Sequence, residues 1–377
     1  MEAGYDGAAL ASGIRSRTVD VRTGLAMHVL EAGFDVENRP CVLLLHGFPE
    51  LAYSWRKVMP TLAAAGFHVL APDQRGYGRT SGSDDRYDGD LASFHILNLV
   101  EDTLALLTAL RVRRVAAVVG HDFGSPVAAW CALLHPQVFR SVVLLSSPFS
   151  GPPRPQAPGA PSPMAAICAS LAALAPPRKH YQWYFSTREA NADMYGCAQG
   201  LHAFLRAYYH CKSADWKQNS PFALKSWAAG ELAKMPRYYI MDLDSGMADT
   251  VAAMAPTAAE ASSCSWLPNA ELQVYCGEFA RRSFQGGLQW YRSMLDPDAA
   301  ARLQEFSGRR IDVPCCYIAG KSDWGTHQSP GALQAMSSSA CSQFRGVHLI
   351  DGAGHWVQQE QPAAVSELLI EFLERAV

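Results

Sequence analysis

Residues 115–134 constrain the fold more than any other stretch of the chain. Val115-Ala116-Ala117-Val118-Val119 is short, apolar and β-branched, bounded by glycine, and predicts a buried strand. Residues 125–134 (SPVAAWCALL) predict a helix. Between them stands Gly120-His121-Asp122-Phe123-Gly124, a pentapeptide with an acid at its centre and a glycine at each end. A chain that leaves a buried strand and enters a helix through so few residues needs a strained turn, and a Cβ on either flank would clash. The central residue then projects above the sheet, near the positive end of the helix. On these five residues alone, a glycine-bounded βα turn carrying a solvated acid would read the same. Two distant segments separate the readings.

Val313 to Ala319 is a second apolar strand, ending at Gly320, with Asp323 in the loop just beyond. His348-Leu349-Ile350 leads into the glycine-rich loop Asp351-Gly352-Ala353-Gly354-His355-Trp356, and a helix over residues 362–373 follows. Nucleophile, then acid, then histidine is the chain order of the α/β-hydrolase triad, with the nucleophile on an elbow. Each member falls at the C-terminal end of a strand, where open α/β sheets carry their sites.

The rest of the chain repeats that rhythm and then interrupts it. Residues 17–21 and 26–31 form the arms of a hairpin turned by Arg22-Thr23-Gly24, and Cys41–Leu45, His68–Pro72 and residues 141–145 read as strands. Helices are expected around residues 54–65 and 93–110, giving a mostly parallel sheet covered on both faces. Residues 151–161 are a proline-rich connector without periodicity, and residues 162–306 are helical in character, rich in Tyr, Trp and Met, with no clear strand. Strands resume at Ile311. We therefore expect a core over residues 1–150 and 307–377, and an inserted helical cap over 151–306.

Bulk properties exclude several classes. A net charge of −3 suggests neither nucleic acid nor an acidic membrane as partner, and no window is long enough to span a bilayer. The basic cluster at residues 111–114 suits a helix C-terminus and reads as structural. The start of the chain lacks a basic and apolar leader pattern. Ten cysteines without metal spacing read as free thiols in a reducing compartment, so a cytoplasmic location is expected, with no metal.

Aspartate at the elbow selects the chemistry. A serine attacking an sp³ carbon would leave a stable ether, whereas a carboxylate leaves an ester whose carbonyl water can attack. An aspartate is also ionised at neutral pH without a base. Epoxides and alkyl halides are the obvious electrophiles. In this fold the loop His46-Gly47-Phe48-Pro49 supplies one oxyanion donor, the N–H of Phe48; the second is the N–H of Phe123. Pro49 is a candidate for a cis peptide.

The chain resembles the soluble-type epoxide hydrolases of the α/β-hydrolase fold. The resemblance rests on His46-Gly47-Phe48-Pro49 with Ser54-Trp55, Asp73-Gln74-Arg75-Gly76-Tyr77-Gly78, the Gly120–Gly124 elbow, Asp323 and His355. It implies a small-molecule epoxide, water as co-substrate, a covalent aspartyl ester at Asp122, and no cofactor. It also implies two cap tyrosines that hold and protonate the epoxide oxygen. His180-Tyr181-Gln182-Trp183-Tyr184-Phe185 nominates Tyr181, with Tyr184 as the competing choice, and Gly286-Gly287-Leu288-Gln289-Trp290-Tyr291-Arg292 nominates Tyr291. A phenol donates to an alkoxide without being ionised at rest. His46, Pro49, Gln182, Trp183, Trp290, Trp324 and Trp356 are the expected pocket residues, and the aromatic density around Trp183, Phe185, Trp290 and Trp324 suggests an apolar or aryl-bearing epoxide.

One departure stands out. Many family members carry tryptophan after the nucleophile; here it is Phe123. Haloalkane dehalogenases use that tryptophan, commonly with an asparagine where Phe48 stands, to hold halide, and fluoroacetate-type enzymes carry arginine there. Dehalogenation is thus the second reading, and a non-catalytic ligand-binding relative the third. The loop at residues 146–150 holds no acid, so Asp323 is the residue expected to orient His355, while Asp351 is expected to cap its loop.

Overall fold

The computed structural model describes residues 9–155 and 162–376; residues 1–8, and 156–161 of the proline-rich connector, lie outside it. Ten strands are described: β1 (Ile14–Asp20), β2 (Ala26–Ala32), β3 (Cys41–Leu45), β4 (His68–Pro72), β5 (Val115–His121), β6 (Val142–Leu145), β7 (Arg178–His180), β8 (Ile240–Asp242), β9 (Ile311–Gly320) and β10 (Cys341–Ile350). Eight of them form one sheet in the order β1-β2-β4-β3-β5-β6-β9-β10. β2 runs antiparallel to both neighbours, and every later pair is parallel. Every residue of β3, β5 and β6 is buried, so both faces of the sheet centre are covered. That explains why these strands read as unbroken apolar runs without alternation.

Topology sets the site. The chain steps from β3 to β4 on one side and returns to place β5 on the other, so the order reverses at β3. The loops leaving β3 and β5 diverge there, which is the crevice where open α/β sheets bind ligands. Register aligns Leu45 with Gly120, His121 with Leu145, and Leu145 with Ile318. The loops after β3, β5, β6 and β9 therefore emerge along one edge.

Two local expectations are corrected. The helix expected at 54–65 is a 3₁₀ turn, Ala52–Trp55, followed by the helix Met59–Ala64, whose second residue is Pro60. Proline suits a helix start because its missing N–H would be unpaired there anyway. The segment expected to be helical throughout, residues 162–306, contains β7 and β8, paired antiparallel. Three residues each, reading Arg-Lys-His on one side, carry no apolar alternation, so only tertiary contact reveals them. Otherwise this insertion between β6 and β9 is helical and forms the cap. No described helix is long and apolar enough to cross a membrane.

The cap is docked onto the loop after β4. Asp73 accepts from Ala52 N–H at 2.8 Å, Arg79 N–H at 2.9 Å and His28 Nδ1 at 2.7 Å, which curls residues 73–79 tightly. Gly76 sits at φ +82°, and a Cβ on Gly286 of the cap would lie 2.1 Å from its carbonyl oxygen. Backbone meets backbone there. The helix Gln285–Met294, which carries Tyr291, is thereby seated on the core, and the indole N–H of Trp290 donates to the Arg75 carbonyl at 2.9 Å.

Candidate active site

Asp122 adopts φ +50°, the left-handed region, at the junction of β5 and the helix Gly124–Leu134. Its flanking glycines have no room for a side chain: a Cβ on Gly120 would lie 2.2 Å from the Gly124 carbonyl oxygen, and one on Gly124 2.3 Å from that of Leu45. Gly47 matters for the same reason, since its Cβ would meet the Asp122 side chain at 2.4 Å and the Phe123 nitrogen at 2.7 Å. With no side chain there, the Phe48 N–H reaches Asp122 Oδ1 at 2.9 Å. The Phe48–Pro49 peptide is cis.

His355 stands with Nε2 3.2 Å from the other oxygen, Asp122 Oδ2, and with Nδ1 3.0 Å from Asp323 Oδ1. Asp323 is itself held by the N–H of Gly325 at 2.7 Å. Asp351 neither orients His355 nor caps its loop; it lies at the surface, paired with Lys321 at 2.7 Å. Burial would raise the carboxyl of Asp122, but the hydrogen bond and charge of His355, then Lys212 and His121, hold it well below the usual carboxylate range. Burial likewise opposes ionisation of Asp323, and the adjacent His355 outweighs it.

The two cap tyrosines, Tyr181 and Tyr291, stand with ring centroids 6.1 Å apart, each buried, and the charge of Asp122 acts on both. Tyr291 packs edge-on to Phe48 at 5.4 Å and Phe123 at 5.2 Å. Tyr181 donates to Gln328 Oε1 at 2.9 Å and receives a bond from Gln182 Nε2 at 3.2 Å. Burial, then the charge of Asp122, pushes both phenols above their ordinary value, so they remain protonated. Tyr184 does not share the site: its hydroxyl bonds the carboxylate of Asp193. One helical turn beyond Tyr181, Phe185 fills the inward position instead, 5.0 Å from the Tyr291 ring.

The expected pocket residues divide. Trp183 is 40% exposed, a correction, because two residues along a helix turn a side chain about 200° from Tyr181. His46 and Trp356 are fully enclosed and act as supports, a second correction. The His46 ring donates to the Gly47 carbonyl at 2.9 Å and accepts from Gln74 N–H at 3.1 Å. Trp356 lies under His355 at 4.7 Å, its indole N–H tied to the Tyr209 carbonyl at 2.8 Å. Pro49 offers its carbonyl to the Tyr209 hydroxyl at 2.7 Å, and Trp324 packs against Phe222 at 5.1 Å. Trp290 backs Phe123 at 5.2 Å, and together with Phe94, Trp130 and Met294 these two line an apolar cavity of about 290 Å³.

Several residues escaped the sequence reading. Glu50, next after Pro49, bonds His121 Nδ1 at 2.5 Å, while His121 Nε2 donates to the His355 carbonyl at 2.7 Å. Both ring nitrogens of His121 thus face acceptors; burial opposes its charge, but Glu50 raises its affinity for the second proton. The signal was present, an acid ending the His46–Pro49 motif and a histidine beside the nucleophile, but only the fold brings the two together. Lys212 ends the cap helix Gly200–Lys212, buried with its ammonium over the rings of Tyr239 at 5.1 Å, Trp356 at 5.4 Å and Tyr208 at 5.5 Å. Nothing in its sequence surroundings marks it.

Residues 40–362 match the family model of the alpha/beta hydrolase fold. Epoxide hydrolase A of Mycobacterium tuberculosis is 35% identical over 366 residues, spanning 95% of this chain and 96% of that protein. Epoxide hydrolase B of the same species is 33% identical over 362 residues, spanning 93% and 96%. The solved structure of an epoxide hydrolase from an endophytic Streptomyces superposes with a TM-score of 0.76 at 30% identity, covering 97% of this chain and 96% of that one.

Proposed function

The chain belongs to the α/β-hydrolase fold family, among its epoxide hydrolases, and from that membership we propose that it opens an apolar or aryl-bearing epoxide at Asp122. Tyr181 and Tyr291 bind the epoxide oxygen. Asp122 Oδ2 attacks one ring carbon, the C–O bond breaks, and a phenol proton passes to the departing alkoxide. The product of this half is a hydroxyalkyl ester. His355, oriented by Asp323 through Nδ1, then takes a proton from water through Nε2 as the water attacks the ester carbonyl. The oxyanion that forms on Oδ1 is met by the N–H groups of Phe48 and Phe123. As the acyl–oxygen bond breaks, the second proton of the water passes to the departing alkoxide oxygen, so the diol leaves and Asp122 is again a carboxylate, while the proton held on His355 returns to the tyrosine phenolate.

The observation that carries this reading is the division of labour between the two oxygens of Asp122. Oδ1 is held at 2.9 Å by the Phe48 N–H, while Oδ2 faces His355 Nε2 at 3.2 Å. One oxygen is preset for the oxyanion and the other for attack. The rings of Phe48, Phe185, Phe123 and Tyr291 packed together beside the nucleophile support an apolar substituent on the substrate. In this reading the cap is residues 151–306, and the ten free cysteines support a cytoplasmic location.

Intact mass of His355→Gln after incubation with aryl and alkyl epoxides tests the assignment. A gain of one epoxide mass, mapped to the Asp122 peptide, is expected, because the variant can be alkylated but not hydrolysed. An enzyme that turns over with no trappable adduct sinks the covalent mechanism.

A further inference from the structure

Glu360 takes no part in the chemistry above, yet its buried carboxylate grips the loop that carries the base. Oε2 accepts from the N–H of Gly354 at 2.9 Å and from that of Ala214 at 2.8 Å, and Oε1 accepts from the N–H of Trp356 at 3.0 Å. Gly354 and Trp356 flank His355. The amide of His355 itself donates to the Lys212 carbonyl at 2.9 Å. All three consecutive amides are therefore fixed, two by one carboxylate and one by the cap. The approach is close: a Cβ on Gly354 would lie 2.5 Å from the Ser213 carbonyl carbon and 2.6 Å from the Lys212 oxygen. Residues 212–214 continue directly from the cap helix Gly200–Lys212, so Glu360 joins the cap to the histidine loop.

A buried carboxylate is expensive unless its hydrogen bonds are filled, and packing alone would be better served by an apolar side chain. Amide donors from two segments give it a use that packing does not. We propose that Glu360 is a positioning residue: it holds His355 in register with Asp122 by binding the amides on either side of the histidine, and it ties that register to the end of the cap helix. This rests on the aspartyl-ester mechanism, in which only the hydrolytic half uses His355. Loosening Glu360 should therefore slow hydrolysis of the ester and leave its formation alone.

Single turnovers of full-length Glu360→Gln and Glu360→Asp with styrene oxide, followed by rapid-quench intact mass, separate the two halves. We expect ester formation within about twofold of the parent and ester hydrolysis slowed about 10- to 100-fold, so that an adduct on Asp122 accumulates. The aspartate variant, which keeps a carboxyl group with two acceptor oxygens but shortens the reach, should lose less than the glutamine one. Equal slowing of both halves, no accumulation in a folded variant, or failure of both variants to fold would each overturn the proposal. His355→Gln is run alongside. No adduct there defeats the mechanism itself, whereas an adduct there and none in the Glu360 variants defeats only the role of Glu360.

Discussion

Asp122 shows how one side chain serves two steps. Its Oδ1 is bound to the Phe48 N–H and its Oδ2 faces His355, in a left-handed backbone that flanking glycines make possible. Asp122→Ala should abolish diol formation in a product assay while the protein remains folded; substantial turnover would remove it as nucleophile. Tyr181→Phe and Tyr291→Phe should each lower the alkylation rate by about 10- to 100-fold, whereas Tyr184→Phe, whose hydroxyl serves Asp193, should change it less than about threefold. Burial opposes ionisation of Asp122 but His355 holds its carboxyl low, and burial together with the charge of Asp122 holds both cap phenols high. The nucleophile thus stays ionised and the donors stay protonated, so the single-turnover alkylation rate should be flat from about pH 5 to pH 9. A rising limb near pH 4 to 6 that disappears in no variant of His355 would contradict this account of Asp122. Legibility at this scale followed chemistry. Asp122, Asp323 and His355 were readable because each follows a predicted strand in the order of a triad, while Lys212 and Glu360 carry no such mark and bear on the site through contacts between the cap helix end and the histidine loop.

At the level of elements, the cap helix Gln285–Met294 owes its place to contacts between glycines. Gly286 meets the backbone of Gly76, and a Cβ on Gly287 would lie 2.9 Å from the rings of Phe48 and Tyr77. Gly286→Ala must push this helix away from the core and carry Tyr291 with it. We expect a loss of about 1–3 kcal/mol in denaturant unfolding and a drop in alkylation rate larger than that of Leu295→Ala at the helix end. If the rate holds while stability falls, the glycine contact fixes packing but not the tyrosine. The core strands from β1 to β9 were legible to within a few residues, the central ones because fully buried parallel strands announce themselves as apolar runs. β10 was read only from His348 although it begins at Cys341, because its half-exposed residues form no apolar run. β7 and β8 were not, since each is three residues long and pairing alone defines it. The competing cap tyrosines could be separated only once the helix phase was known. A sequence reading could place Tyr181 and Tyr184 on one helix, but which hydroxyl turns inward depends on where that helix sits.

Across the whole molecule, buried carboxylates tie distant segments together. Glu50 joins the β3 loop to His121 and to Gln358 and Gln359, and Asp73 curls the loop that receives the cap. Burial alone would raise these groups, but His121 outweighs it at Glu50, His28 at Asp73 and His355 at Asp323, leaving all three below their ordinary range. A carboxyl whose folded value lies below its unfolded one contributes stability above about pH 4, and that contribution is lost as pH falls through the folded value. The melting temperature should therefore decline as pH drops below about 4, and Glu50→Gln should weaken that dependence. An unchanged profile would mean that these pairs do not govern acid stability. By itself, the sequence determined the sheet core, the elbow, the order of the triad and the presence of an inserted cap. Those follow from local hydrophobic period, from glycine at a strained turn and from the chemistry of an aspartate nucleophile, all written in neighbouring residues. Which tyrosine stands beside Tyr291 and which bonds Asp193, which tryptophans are buried, and what Lys212, Glu50 and Glu360 touch were decided by the tertiary structure. Each depends on helix phase or on contacts between separate segments of the chain, and such contacts leave no periodic trace in the sequence.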